Sequence, residues 1–261
     1  MHKMIKLGGS LITDKLVEQS FRADVMSRIA HEIAAALPSL TQPLIIGHGS
    51  GSFGHFAAKR HDTIHGVQSA EQWRGFAEVA FVASQLNNLV AQQLWREGVP
   101  VMRFQSSVAL TSNDGVPQDM PLDNIRQALK NGLVPLVYGD VGFDTTRGGT
   151  IISTESLFTY LAESLEVSEI FLVGEVAGVL DDNGVVIPLI TPETFGQAQG
   201  VIKGSRGTDV TGGMLTKVTD MVALVQSRPG MTIHILDGLT EGVLQNALMD
   251  KPTLKTTIRA S

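Results

Sequence analysis

The chain has 261 residues, 43% of them hydrophobic and 18% charged, with a net charge of -6. A core of ordinary size is expected, and the negative balance offers no basic field for nucleic acid or acidic membrane. With no cysteine, disulfides, thiolate nucleophiles and cysteine-held metals are excluded.

The opening "MHKMIKLGGSLITDK" lacks a signal-peptide core, and no apolar run reaches the roughly 18 residues of a membrane span, so a cytoplasmic protein is expected. In chain order, "MIKLG" (4–8) predicts a strand, and Val25, Ile29, Ile33 and Leu37 predict a helix over 22–37. "PLIIG" (43–47) predicts the next strand, followed by a glycine-rich loop, "GHGSGSFGH", and a polar loop over "KRHDTIHG" (59–66). A long helix over 69–96 carries Phe76, Val79, Val82, Leu86, Leu89 and Val90 near helical spacing. A strand over 99–104, a turn at Asp114-Gly115, a helix over 122–131 and a strand over 133–139 follow. Beyond these come a helix over 154–165, a strand over 169–175 and a turn at Asn183-Gly184. The chain closes with a helix over 213–226, a strand over 231–236 and a helix over 240–249. Strand–helix alternation with near-continuous apolar strands predicts an α/β fold, a mostly parallel sheet covered on both faces. One domain is expected, with an N-terminal lobe to about residue 165 and a C-terminal lobe from 166 to 261.

Four glycine-rich turns stand out: "KLGGS" (6–10), "GHGSGSFGH" (47–55), "RGGTIIST" (147–154) and "DVTGGMLTK" (209–217). Glycines at strand–helix turns let backbone N–H groups face a phosphate without a Cβ in the way. Lys6 lies inside an apolar strand beside Gly8, Gly9 and Ser10, where burial without an anion is costly. Lys217 follows Gly213 by one helical turn, and Lys15 lies within reach of the first loop. Gly49, Gly51 and Gly54 spell G-x-G-x-x-G, yet no second strand with an acidic ribose ligand follows, so the dinucleotide reading fails. No G-x-x-x-x-G-K-[ST] is present either. His61 and His65 are four apart but lack the glutamate of a zinc helix, which favours a polar loop. Trp73 reads as packing.

Together, "KLGGS", the glycine-rich loop after the second strand and "DVTGGMLTK" resemble the amino acid kinase superfamily. Within it, "HGSGSFGH" and "VYGDVGFD" with "GGTIISTE" resemble the isopentenyl phosphate kinase family. The resemblance implies a three-layer α/β/α sandwich, a homodimer, and ATP-dependent conversion of isopentenyl phosphate to isopentenyl diphosphate in isoprenoid biosynthesis. It implies that Lys6 bridges donor and acceptor phosphates and that His55 donates to the acceptor phosphate, with Ser50, Gly51 and Gly54 shaping the loop around it. Lys217, Gly212 and Gly213 would hold the β/γ-phosphates of ATP, Gly8, Gly9 and Ser10 would cradle the transferring group with Lys15 a supporting cation, and Gly51 would also contact ATP. Gly149 would offer backbone to the acceptor phosphate, and Asp181 would contact nucleotide. Phe76, Val79, Ala80 and Ala83 would line the prenyl pocket. Mg2+ would arrive on ATP with few direct protein ligands. This chain has Ser-Thr-Glu at 153–155 where many members have Ser-Gly-Asp, and no role is assigned to Glu155 at this point. A fosfomycin-type phosphonate kinase, which "KRHDTIHG" also resembles, and an ATP-binding storage protein of the same fold stay open as alternatives.

Overall fold

The strands are apolar on both faces, and in the computed structural model they split the core into two layers of helices. The structure describes residues 1–202 and 213–260. In chain order its elements are β1 (His2–Leu7), α1 (Gly9–Ile12), α2 (Ala23–Ala36), β2 (Leu44–His48), α3 (Gly51–His61) and α4 (Ala70–Arg96). Next come β3 (Val101–Arg103), α5 (Ser106–Ala109), β4 (Thr111–Asn113), β5 (Val116–Asp119), α6 (Asp123–Lys130) and β6 (Val134–Tyr138). They are followed by β7 (Asp140–Asp144), β8 (Gly148–Ile152), α7 (Thr154–Ser164), β9 (Val167–Gly174), β10 (Leu189–Ile190) and α8 (Phe195–Ile202). The chain ends with α9 (Gly213–Ser227), β11 (Thr232–Asp237), α10 (Val243–Leu248) and β12 (Thr256–Arg259).

An eight-stranded sheet runs β10-β12-β11-β9-β1-β2-β6-β3 and is parallel except at β11–β12. Alternate residues feed opposite cores. Ile5, Leu7, Ile46, Leu136 and Phe171 pack with Ile29 of α2 and Leu86 of α4. Met4, Ile45, Val137 and Ile170 pack with Leu157 of α7 and Val222 of α9. This is the expected α/β sandwich. Because β1 pairs with β2 on one side and β9 on the other, the two sequence halves share one sheet.

The six predicted core strands and the six predicted helices form, with ends displaced by up to three residues. α4 starts on a capping box: Ser69 accepts from the Gln72 amide at 3.2 Å, and the Gln72 side chain accepts from the Ser69 amide at 3.0 Å. Two stretches differ from expectation. The glycine-rich and polar loops after β2 are largely one helix, α3, which contains His55 and ends at His61. "RGGTIIST" is a hairpin and a strand, with β7 and β8 antiparallel and Gly148 and Gly149 inside β8. It belongs to a second sheet, β5-β4-β7-β8. Asp144 ties the turns of that sheet together by accepting the amides of Asp114, Gly115, Thr146 and Arg147 and the Ser112 hydroxyl.

Candidate active site

Parallel register places the functional loops on one edge. Leu7, His48, Tyr138 and Val173 are consecutive Cα partners across β6, β2, β1 and β9. The residues that follow them, Gly8, Gly49, Gly139 and Gly174, therefore leave the sheet side by side at the carboxyl ends of the strands, where open α/β sheets bind ligands.

Two of these loops cross in backbone contact. A Cβ on Gly9 would lie 2.7 Å from the Gly51 nitrogen and 2.8 Å from its Cα, and a Cβ on Gly49 would lie 2.9 Å from the Gly9 nitrogen. Gly51 also has φ +51, and its Cβ would sit 2.3 Å from the Thr13 hydroxyl. Thr13 locks the crossing: its hydroxyl donates to the Gly9 carbonyl at 2.7 Å and accepts from the Ser52 amide at 2.9 Å. Gly9 and Ser10 open α1, so their amides have no helical acceptor. The glycines at 9, 49 and 51 thus permit an approach that any side chain would block.

Lys6, 8% exposed in β1 two residues before Gly8, forms an ion pair with Glu155 of α7. Two further glycines seat α7 there. A Cβ on Gly47 would be 2.3 Å from the Phe158 ring, and one on Gly139 would be 2.9 Å from the Thr154 hydroxyl. With α7 drawn onto β2, the Glu155 carboxylate in its first turn meets the Lys6 ammonium, and the helix N-terminus favours that anion. Burial pushes the Glu155 carboxyl up, but the Lys6 ammonium, with a further contribution from Lys217, outweighs it and holds the group below its ordinary value. Lys217 on α9 thereby joins the same charge cluster, as does Asp220, whose carboxyl burial and Glu155 push up. Gly213 starts α9 with φ +61, a backbone conformation that favours glycine. Gly212 lies outside the described residues.

His55, exposed on α3, borders a cavity of about 20 Å³ with Ser50, Gly54, Val79, Ala83 and Asp140. Gly54 allows the helix to fold over Ser50, since a Cβ there would meet the Ser50 side chain at 2.6 Å. Asp140, 2% exposed, was not singled out by the sequence. Burial pushes its carboxyl up, while the Ser107 hydroxyl at 2.6 Å and the Val141 amide at 2.8 Å act against it. Phe76 sits on Gly149, where a Cβ would come within 2.7 Å of the ring, and packs with Trp73 and Phe143 at centroid distances of 5.1 and 5.3 Å. Val79 and Ala83 border the cavity beside His55; Phe76 and Gly149 belong to this aromatic cluster.

The other expected residues spread further. Lys15 is exposed on the turn after α1. The Asp181 carboxylate accepts the Asn183 and Val185 amides of its own turn at 2.8 and 2.9 Å. That turn forms one wall of a cavity of about 580 Å³ with Glu175, Val176, Ala177, Val186 and Leu254, just past β9. His61 bonds Glu78 of α4 at 2.8 Å, and His65 bonds Asp62 at 2.6 Å. Among the described residues no group of three or more His, Cys, Asp and Glu is placed to hold a metal ion.

The described structure thus holds a buried lysine in the strand before the glycine crossing, a second lysine one helical turn into α9, and a histidine bordering a small cavity between α3 and α4. Comparisons with known proteins identify the family. The amino acid kinase family model matches residues 1–237. The isopentenyl phosphate kinase of Methanocaldococcus jannaschii is 34% identical over 229 residues, 85% of this chain and 86% of that one. That of Methanothermobacter thermautotrophicus is 32% identical over 265 residues, 98% of each chain. An isopentenyl phosphate kinase crystal structure superposes with a TM-score of 0.82 at 28% identity, covering 99% of this chain and 100% of that one. The chain belongs to the amino acid kinase family and groups there with its isopentenyl phosphate kinases.

Proposed function

We propose that the protein transfers the γ-phosphoryl group of ATP to isopentenyl phosphate, giving isopentenyl diphosphate and ADP for isoprenoid biosynthesis. One observation carries this reading: Lys6, buried in the strand that leads into the crossed glycine loops, is ion-paired with Glu155, while the loop and helix after β2 bring Ser50 and His55 to the same carboxyl edge of the sheet. The names of the two relatives described above support the acceptor.

A phosphate monoester has a second pKa near 6, so the acceptor is already a nucleophilic dianion at neutral pH and needs no general base. The difficulty is repulsion. Two unit charges about 4 Å apart interact by about 4 kcal/mol even at an effective dielectric of 20, and donor and acceptor bring several. Lys6, held in place by Glu155, neutralises charge between them as the acceptor oxygen bonds to the γ-phosphorus and the bond to the β-phosphate oxygen breaks. His55 donates to the acceptor phosphate, the backbone of Gly8, Gly9 and Ser10 faces the transferring group, and Lys217 holds the ATP phosphates. The cavity of about 580 Å³ past β9 has the volume for the ATP base, with the Asp181 turn as its wall. Among the described residues Glu155 and Asp220 are the carboxylates tied to this lysine cluster, so Mg2+ would ride chiefly on the ATP phosphates, neutralising their charge. A cavity of about 20 Å³ admits about one water, so α3 and α4 must part to receive a five-carbon chain.

The same reading carries a cytoplasmic setting, where ATP is supplied; among the described residues no helix is long and apolar enough to cross a membrane. It also carries a homodimer. Phe81 and Trp95, 62% and 68% exposed, lie nearly four turns apart on α4, and Met102, 45% exposed, lies on the edge strand β3.

The test is His55→Ala. We expect kcat with isopentenyl phosphate to fall by about a hundredfold or more, as when a charge-stabilising donor is lost, with ATP affinity unchanged. Kinetics equal to the parent protein would refute the assignment.

A further inference from the structure

His48 is not used by this chemistry, yet the site is built around it. It ends β2, fully buried, with its ring stacked on Tyr138 at 5.6 Å and an interplanar angle of 6°. Its Nδ1 lies 3.0 Å from the Gly49 carbonyl, and its Nε2 lies 3.0 Å from Nδ2 of Asn87 on α4, a residue itself 2% exposed. A carbonyl only accepts, so Nδ1 carries the proton; the neutral ring then leaves Nε2 to accept from the Asn87 amide. Burial lowers the His48 pKa to about 4 despite the opposing Gly49 bond, which keeps the ring neutral near pH 7. The backbone of the same residue is also engaged: its carbonyl accepts the Thr154 hydroxyl at 2.7 Å, one residue before Glu155. Gly49, in turn, is the glycine whose backbone abuts Gly9.

We infer that His48 is a positioning residue whose Nδ1–H, fixed by Asn87, sets the Gly49 carbonyl and hence the path of the Gly49–Gly51 loop against the Gly9 backbone. An apolar side chain could fill the space beside Tyr138, and a buried polar pair is costly unless both members are satisfied. The pair Asn87–His48 is satisfied in one tautomer only, and that tautomer points its single donor at the loop. The inference rests on the site being a phosphoryl-transfer centre, in which loop placement within about 1 Å decides rate.

Two variants separate positioning from packing. His48→Asn keeps an amide donor at the place of Nδ1 and loses the Asn87 partner. His48→Gln keeps an acceptor at the place of Nε2 and loses the donor to Gly49. With the phosphate acceptor that the parent protein turns over, His48→Asn should hold kcat within about threefold, and His48→Gln should lose about a hundredfold. The KM for ATP should be similar in both, and so should the loss of thermal stability. Equal loss of kcat in the two variants would overturn the inference, because a purely structural histidine does not distinguish its nitrogens. A second readout needs neither substrate nor a folded variant: ¹⁵N NMR of the parent protein should show His48 protonated at Nδ1 alone. A proton on Nε2 would overturn the inference whatever acceptor the enzyme uses. Absence of turnover of isopentenyl phosphate by the parent protein would instead count against the proposed function and leave the tautomer result to decide this one.

Discussion

Gly9→Ala tests the claim that two glycine loops must touch for the site to form. The new methyl group would lie 2.7 Å from the Gly51 nitrogen and 2.8 Å from its Cα, both main-chain atoms that no rotamer can clear. Ordinary contact between such atoms is about 3.5–4.0 Å, so the loops must separate by roughly 0.8 Å. Overpacking of this kind costs about 1–3 kcal/mol, and at about 2–4 °C per kcal/mol the melting temperature should fall by roughly 2–12 °C. The rate should suffer more. A displacement approaching 1 Å at the reacting atoms costs about a hundredfold, and here it falls on the loop that directly follows the strand of Lys6. The assay is kcat with saturating ATP and acceptor, alongside thermal melting, with Gly230→Ala as control because a Cβ there meets nothing within 4 Å. A Gly9→Ala protein with kcat within about threefold of the parent and an unchanged melting temperature would refute the crossing as a requirement.

Glu155→Gln keeps the shape of the side chain but leaves the buried Lys6 ammonium without its counter-charge; stability should fall by about 3–5 kcal/mol in denaturant titration, and kcat by more than KM rises. Glu169 should make the protein acid-sensitive. The His234 hydrogen bond, against burial and with help from Lys3, holds its carboxyl down to about 2. A depressed folded-state value stabilises above the unfolded value of about 4.3 and is lost as pH falls toward 2. Urea titrations between pH 6 and pH 2 should therefore show a loss on the order of 2 kcal/mol that Glu169→Gln abolishes; the same slope in the variant would place the loss elsewhere. Val79→Ala widens the cavity beside His55 and should shift kcat/KM toward longer prenyl phosphates, whereas a parental chain-length profile would return Val79 to plain packing. Trp95→Glu should convert the proposed dimer to a monomer in light scattering, and an unchanged mass would move the proposed interface off this face of α4.

The layered fold was legible because burial on both faces leaves a near-continuous apolar signal in β1, β2, β6, β9 and β11. The turn at Asp114-Gly115 was also legible, and both residues have positive φ, +50 and +82, as a tight hairpin turn requires. α3 was not legible. Its first turn holds Gly51 and Gly54, which disfavour helix locally; tertiary bonds compensate, with Thr13 accepting the Ser52 amide and α4 packing along its length. The strand β8 was hidden in the same way, because Gly148 and Gly149 read as a turn while Phe76 and Asp144 define what they do.

The site was legible where its chemistry was local. A lysine in an apolar strand beside paired glycines marked Lys6, and the lysine one turn after Gly213 marked Lys217. Glu155 and Asp140 carried no such mark. The Glu155 partner is 149 residues away, and Gly47 and Gly139, by admitting α7 close to the sheet, help bring the two together. Asp140 reaches the His55 cavity because β7 leaves the main sheet directly after Gly139. His61 shows the opposite case: a residue conspicuous in sequence that proves to be tied to Glu78 on the neighbouring helix.

The central claim is tested most directly by a coupled ATP/ADP assay with Mg2+ on three acceptors: isopentenyl phosphate, fosfomycin and N-acetylglutamate. The account predicts a kcat/KM for isopentenyl phosphate well above the other two, and the loss of that turnover in His55→Ala. Turnover of fosfomycin or N-acetylglutamate with none of isopentenyl phosphate would contradict it.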